Sequence, residues 1–423
     1  HYASTRLAKE KEAFMSQSST AGPKKPVLYV PGLPASHLRD TGESKRIFLS
    51  VKFNNPLLEG PDDLRADDPV RAEEPIVSAL SFLFIDLGKQ AKFLYEILED
   101  DFGIDAVKHG WDWRRPVWDD AVSSGGEAYG VQRTLERAIR DLFDRAGRKI
   151  VVIVHSTGGL ILRSLLESKP ELADKIDLVM AFGVPWAGLA RSLEGINAQK
   201  GFAGVVPKSR AQKILTCSWA AWDLMPPDPT HLTDTDGDPL FLTFRKDPSG
   251  ARRPASTLTD LDWLHSLPAA LRAQAQKRAD AARVHLGARR PTFDLRGRSL
   301  RIVNVVGWGA DTPVETEIIG QGTGARVRVI RDRGDDALDG GDGTAPRRSA
   351  AWLRGGNGVT VKTYHVPVGR LPSTRIHVHS NLWRNPGGRL LLHRELAGES
   401  FPHFCWAALD PDDSPTEHAR DTL

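Results

Sequence analysis

A strand-like apolar run that leads directly into a serine flanked by glycines constrains this chain most strongly. The five residues Ile150–Val154 are all β-branched, which is typical of a strand covered on both faces, as in a parallel sheet. The next segment, His155-Ser-Thr-Gly-Gly159, predicts a sharp turn, with glycines that let the backbone close up behind the serine. Leucines at helical spacing then predict a helix. This arrangement exposes a serine hydroxyl at the carboxyl edge of a sheet, opposite a helix N-terminus that favours developing negative charge.

The residue two positions before this serine is larger than such a turn usually carries. The pattern G-x-S-x-G begins with glycine because the turn crowds a neighbouring strand, and here the first position is Val154. Val154 therefore predicts a neighbouring strand that leaves room for its side chain. The segment alone leaves one alternative open, an ordinary strand–turn–helix with an incidental serine.

Predicted strands and helices alternate along most of the chain, which favours an α/β fold with a mostly parallel sheet, right-handed crossovers and flanking helices. Apolar runs predict strands at 27–30, 150–154, 176–182, 300–307 and 359–366, a hairpin at 314–330, and helices at 89–99, 131–147 and 390–396. The alternation breaks between 190 and 298, which predicts a large inserted cap or lid with a helix at 268–286. The predicted division is an N-terminal arm at 1–26, a core of 27–189 and 299–408, the cap at 190–298, and a loose tail at 409–423.

Composition excludes several classes of protein. A net charge of +3, with basic and acidic residues interleaved, argues against a nucleic-acid partner. The only two cysteines, Cys217 and Cys405, allow one disulfide but no disulfide framework. Residues 1–26 lack the apolar core of a signal peptide, so a cytoplasmic location is expected unless the N-terminus is incomplete; Met15 is an alternative start. The apolar run 76–87 is too short to span a bilayer, so it leaves open whether the protein contacts a membrane surface. The sequence also leaves the oligomeric state open.

Two later segments supply the partners that a serine nucleophile needs. A serine hydroxyl requires a base, and the base requires a carboxylate to orient it. Asp342 lies in the glycine-rich turn 340–346 before the last predicted strand, and His379 follows that strand. The order serine, acid, histidine is the order found in α/β-hydrolases. His377 stays open as an alternative base, and the alternative acids are Asp311, Asp336 and Asp339.

Six short motifs stand in order between residues 27 and 385. They are Val30-Pro-Gly32, Trp111-Asp-Trp-Arg114, His155-Ser-Thr-Gly-Gly159, Gly183-Val-Pro-Trp-Ala-Gly188, Gly341-Asp-Gly-Thr344 and His379-Ser-Asn-Leu382. With them the chain resembles the lecithin:cholesterol acyltransferase-like branch of the α/β-hydrolases. The resemblance implies the α/β-hydrolase fold and acyl-ester chemistry through a triad of Ser156, Asp342 and His379, often on lipid substrates. It also implies an oxyanion hole formed by the backbone N–H groups of Leu33 and Thr157.

The expected function is therefore that of a serine esterase or lipase acting on apolar or lipid-like esters. Acyl transfer to a lipid alcohol is the alternative reaction, and an inactive hydrolase-fold binding protein is the alternative class. Trp186, Trp219 and Trp222 are candidate substrate contacts, although tryptophans in a cap are more often core residues. No cofactor or metal is expected, since 234–238 only faintly resembles a calcium loop. The chain departs from this family at Val154, in lacking the disulfides of the secreted members and in having a cap that matches no family segment. The resemblance therefore predicts the type of reaction better than it predicts the substrate.

Overall fold

A six-stranded parallel sheet forms the centre of the molecule. Its strands stand in the order β14 (Val359–Pro367), β10 (Leu300–Trp308), β6 (Ile176–Phe182), β5 (Ile150–His155), β1 (Val27–Val30) and β4 (Val107–Lys108). The structure is a computed structural model that describes residues 24–33, 36–40, 70–75, 89–118, 130–197, 208–227, 242–247, 249–332, 340–368 and 378–398.

Helices cover both faces of this sheet. Helices α2 (Val131–Ala146) and α3 (Thr157–Ser168) share one apolar cluster with Val152 and Val154. Helices α1 (Lys89–Phe102) and α9 (Pro386–Leu392) share another with Val151 and Ile153. Because successive side chains of a strand point to opposite faces, β5 is buried on both sides, as its sequence predicts. The fold is that of an α/β-hydrolase, and the predicted fold class is confirmed.

A second sheet has four strands, in the order β12 (Arg326–Asp332), β11 (Thr312–Ile319), β7 (Thr243–Lys246) and β8 (Arg252–Pro254). The predicted hairpin is β11–β12, and β11 also pairs in parallel with β7. The hairpin, from the segment assigned to the core, is therefore joined to a strand of the segment 190–298. The division into core and cap stays a prediction, and residues 1–23 and 409–423 lie outside the described part.

The segment 190–298 supplies most of a third apolar cluster, which Ile318 and Val327 of the hairpin complete. Helix α7 (Ala269–Gly287) contributes small residues to it, and Trp222 and Trp263 stack at 5.9 Å between ring centroids. The remaining elements are short: β2 (Ser36–Asp40), β3 (Val70–Pro75), α4 (Arg191–Ile196), α5 (Lys208–Cys217), α6 (Trp219–Asp223), β9 (Thr292–Phe293), α8 (Arg347–Ala350) and β13 (Arg354–Gly355). Across the described ranges, no helix combines the length and the apolar character needed to cross a membrane.

The last helix begins earlier than its apolar residues indicate. The structure has α9 at Pro386–Leu392 and a π-helical turn at His393–Ala397, whereas the sequence predicts a helix over 390–396. Asn385 caps the helix by accepting the Gly387 N–H at 2.9 Å, and a proline occupies the first turn. These capping signals define a helix start better than apolar spacing does.

Asp223 joins the segment 190–298 to Val117, in the segment 27–189. Its Oδ2 accepts the N–H of Val117 at 2.8 Å, and its main-chain carbonyl accepts Arg289 Nη1 at 3.3 Å. The side chain is fully buried. Burial raises the pKa of Asp223 to about 8, so the folded protein holds this carboxyl protonated at neutral pH.

Replacement of Asp223 by Asn is expected to change how stability depends on pH. Between its unfolded pKa of about 3.9 and the folded value of about 8, the folded wild type binds a proton that the unfolded chain has lost. Stability conferred by this group therefore falls as pH rises through that window. The free energy of unfolding of Asp223→Asn relative to wild type should increase from pH 5 to pH 8, by at most about 1.4 kcal/mol per pH unit. Urea unfolding of both proteins at several pH values measures this difference; a constant difference would contradict a protonated Asp223.

Candidate active site

Ser156 sits in a strained turn between β5 and α3. Its backbone has φ 51° and ψ −127°, a region that residues with a side chain rarely adopt. Its N–H donates to the carbonyl of Phe182 on β6 at 3.0 Å, and its own carbonyl accepts from Gly159 at 3.1 Å. These bonds hold a conformation that projects the Ser156 side chain from the end of the sheet, as in a nucleophile elbow.

The residues around the elbow pack closely. A Cβ at Gly158 would lie 2.5 Å from the carbonyl oxygen of Val30, and one at Gly32 would lie 2.7 Å from Ser156 Cβ. Val154 is paired with Ala181 on β6. The small side chain of Ala181 is the neighbour that Val154 predicts, so the missing first glycine is compatible with this turn.

Asp342 has a buried carboxylate, and each of its two oxygens has a hydrogen-bond partner. Its Oδ1 accepts the N–H groups of Thr344 at 3.0 Å and Ala345 at 2.7 Å, and its Oδ2 lies 2.6 Å from His379 Nδ1. Asp311, one of the alternative acids, instead pairs with Arg331 at 3.0 Å. Asp336 and Asp339 lie outside the described residues.

Arg191, at the start of α4, anchors the loop that carries Asp342. Its Nη1 donates to the carbonyl of Gly343 at 2.8 Å and to Thr344 Oγ1 at 2.9 Å. One turn further, Glu194 pairs with Arg331 of β12 at 3.1 Å. The acid loop is thereby tied both to the segment 190–298 and to the second sheet, a connection that no sequence motif indicates.

His379 faces Asp342 with one ring nitrogen and leaves the other without a partner. Because the carboxylate accepts at Nδ1, the neutral imidazole carries its proton there and has an unprotonated Nε2. Nε2 is buried and makes no hydrogen bond to any residue that the structure describes, Ser156 included. An unprotonated nitrogen of this kind is able to accept a hydroxyl proton. His377, the alternative base, lies outside the described residues.

Gly183 makes room for the Asp342–His379 pair. It has φ +57°, and a Cβ there would lie 2.8 Å from Asp342 Oδ2 and 3.0 Å from His379 Nδ1. Gly307 plays a similar part, since a Cβ there would lie 2.7 Å from Asp342 Cβ. Gly183 directly follows β6 and Gly307 is the penultimate residue of β10, and the sequence indicates Gly183 only through its motif.

Of the two predicted oxyanion donors, Thr157 follows Ser156 in the chain, and Leu33 follows a glycine that lies close to Ser156 in space. Thr157 is the first residue of α3, where a backbone N–H has no partner within the helix. Leu33 follows Gly32, where an added Cβ would lie 3.2 Å from Ser156 Oγ. Both N–H groups belong to segments adjoining the serine, and their role in binding an oxyanion stays a prediction.

The three candidate substrate tryptophans have the contacts of packing residues. Trp186 is buried and donates to Asn304 Oδ1 at 3.1 Å, and Trp222 is buried and donates to the carbonyl of Thr216 at 3.1 Å. Trp219 is half-buried beneath the guanidinium of Arg278, 3.8 Å from its ring centroid. Since these contacts are with other residues of the protein, substrate contact by the three tryptophans stays a prediction.

Within the described ranges, no cluster of three or more His, Cys, Asp or Glu side chains is arranged to hold a metal ion. The segment 234–238 lies outside those ranges, as does the apolar run 76–87. Cys217 is buried, with its sulfur 3.2 Å from Gln274 Oε1. Cys405 is not among the described residues, so the pairing of the two cysteines stays open.

Comparisons with known proteins give distant structural similarities only. No family model and no curated protein matches the chain. A chain of the Tle4–Tli4 complex is 13% identical over 77% of this chain and 88% of its own, with a TM-score of 0.44. Phospholipase PlaB from Legionella pneumophila is 14% identical over 90% of this chain and 60% of its own, with a TM-score of 0.29. A monoacylglycerol lipase from Paleococcus ferrophilus is 14% identical over 89% of this chain and 95% of its own, with a TM-score of 0.28. The strand order, not these similarities, establishes the fold, and the acyltransferase-like branch stays a prediction.

Proposed function

We propose that this protein is a serine esterase that cleaves carboxylic esters, with apolar or lipid-like substrates, through an acyl-enzyme on Ser156. The observation that supports this most is the 2.6 Å contact between His379 Nδ1 and Asp342 Oδ2 beside the strained turn of Ser156. A strained backbone conformation of this kind persists only where surrounding contacts enforce it, and such conformations cluster at functional sites. The pair of buried polar side chains next to it supplies the base and the acid that a serine nucleophile requires.

The proposed reaction uses these groups in two halves. Ser156 Oγ attacks the ester carbonyl carbon while its proton passes to His379 Nε2, and Asp342 stabilises the resulting imidazolium. The N–H groups of Leu33 and Thr157 bind the oxyanion. The C–O bond to the alcohol then breaks as His379 returns the proton to the leaving oxygen. In the second half, water attacks the carbonyl carbon of the acyl-enzyme while His379 takes its proton. The bond from the acyl carbon to Ser156 Oγ then breaks as His379 returns the proton to Oγ, and the carboxylic acid leaves.

The lipid-like character of the substrate rests on the resemblance of the six motifs and on the size of the segment 190–298, which supplies most of a separate apolar cluster. Acyl transfer differs from hydrolysis only in the second nucleophile, an alcohol in place of water. The same triad would serve both reactions, so the products distinguish them.

An assay with p-nitrophenyl esters of increasing acyl length tests the proposal. We expect hydrolysis that improves with longer acyl chains and that is abolished by one equivalent of a fluorophosphonate. A transesterified product on addition of a long-chain alcohol would assign acyl transfer. Absence of both hydrolysis and fluorophosphonate sensitivity would contradict the proposal and favour an inactive binding protein.

A further inference from the structure

His155, the residue before Ser156, contacts the main chain of His379. Its Nε2 lies 3.0 Å from the His379 carbonyl oxygen, and the two rings have centroids 4.7 Å apart. The rings of His155 and Trp383 form a T-shaped pair, with centroids 5.2 Å apart. His155 is 2% exposed, so these contacts, and not solvent, define its surroundings.

The protonation of His155 follows from its partner. A carbonyl oxygen only accepts, so Nε2 must carry the proton. Nδ1 is buried and has no hydrogen-bond partner among the described residues. Burial lowers the pKa of His155 well below its usual value, and the neighbouring His379 lowers it further. A neutral ring with its proton on Nε2 is therefore the form that fits this site.

We propose that His155 is a positioning residue that holds His379 over Ser156 by donating a hydrogen bond from Nε2–H to the His379 carbonyl. This inference rests on the proposed function, because it assumes that His379 is the base. Asp342 fixes the ring of His379 at Nδ1, and His155 fixes its backbone. Because residues 155 and 156 are adjacent in the chain, the second bond ties the backbone of the base directly to the turn that carries the nucleophile.

This role differs from catalysis and from packing. The His155 nitrogens have no part in the proposed proton transfers, which use His379 Nε2 alone. A packing role requires only a flat ring of this size, which phenylalanine supplies. The positioning role requires an N–H at the ε position, which glutamine supplies and asparagine, shorter by one methylene, does not.

Four variants separate these roles: His155→Gln, His155→Asn, His155→Phe and the matched control His109→Phe. His109 is a second buried histidine, and its Nε2 has no hydrogen-bond partner in the described part of the chain. We expect His155→Asn and His155→Phe to lower kcat by about 10–100-fold with KM little changed, since small misplacements of a reacting group cost this much. His155→Gln should stay within about fivefold of wild type, and His109→Phe should retain wild-type kcat in its folded fraction.

Each kcat is calculated per folded molecule, with the folded fraction measured by circular dichroism. Equal kcat values for His155→Asn and His155→Gln, whether high or low, would overturn the positioning role. The comparison of these two variants tests the role even if His155→Phe fails to fold. Failure of the proposed function has a different signature. In that case wild type itself would hydrolyse no ester and its Ser156 would not react with a fluorophosphonate.

Discussion

Replacement of Ser156 by alanine is expected to lower kcat for ester hydrolysis by about 10⁵-fold or more. In the proposed mechanism this hydroxyl forms the acyl-enzyme, so its loss removes the proposed pathway itself. The remaining polar groups leave a residual rate above that of water. The fold should persist, because alanine and serine share a Cβ and meet the same cost at the positive φ of this turn. Steady-state hydrolysis of a chromogenic ester, at matched protein concentration, measures the change.

Ser164→Ala is the matched control for this variant. Ser164 lies on the same helix, and its Oγ accepts from Gln132 Nε2 at 2.8 Å, away from the site. Its loss should leave kcat within about twofold of wild type while costing about 1 kcal/mol of stability. If Ser156→Ala retained more than about one-hundredth of wild-type kcat, the nucleophile assignment would be wrong.

Replacement of Asp342 by asparagine is expected to lower kcat by about 10⁴-fold. The structure fixes which way the new amide points. Oδ1 accepts two backbone N–H groups, from Thr344 and Ala345, so the amide oxygen must take that place. The NH₂ group then occupies the Oδ2 position and donates to His379 Nδ1. His379 is forced to carry its proton on Nε2, where it no longer accepts the proton of Ser156.

The control for this change is Asp311→Asn. Asp311 is an exposed acid that pairs with Arg331, and it was an alternative candidate in the sequence. We expect its replacement to leave kcat within about twofold of wild type. Equal effects of the two substitutions, or a large effect of Asp311→Asn alone, would show that the acid is not Asp342. Comparing kcat of both variants above and below neutral pH checks that a wrong tautomer, and not a shifted pH optimum, causes the loss.

Five of the six strands of the central sheet were predictable from the sequence, and the two-residue strand β4 was not. Ile150–His155 and Ile176–Phe182 agree with their predicted bounds within one residue, since a strand covered on both faces must be apolar throughout. The turn at Ser156 was also predictable, because a serine between a buried apolar strand and paired glycines is typical of a nucleophile elbow. Chain order then indicated Asp342 and His379.

Contacts between distant segments were not predictable. Nothing near Val154 in the sequence shows that Ala181 lies beside it, and nothing near Asp342 shows that Arg191 holds its loop. The pairing of β7 with the hairpin also joins segments separated by about 70 residues, and pairing partners of that separation leave no local pattern. The sequence indicates His155 only as part of the predicted turn, and the structure gives it a specific partner, the His379 carbonyl.

The covalent adduct on Ser156 tests the central claim most directly. Wild-type protein is reacted with a fluorophosphonate, digested with trypsin and analysed by mass spectrometry. Cleavage after Lys149 and Arg163 yields a peptide in which Ser156 is the only serine. The proposed function predicts one adduct per chain, located on Ser156 and absent after prior denaturation. An unmodified Ser156, or an adduct on a different residue, would contradict it.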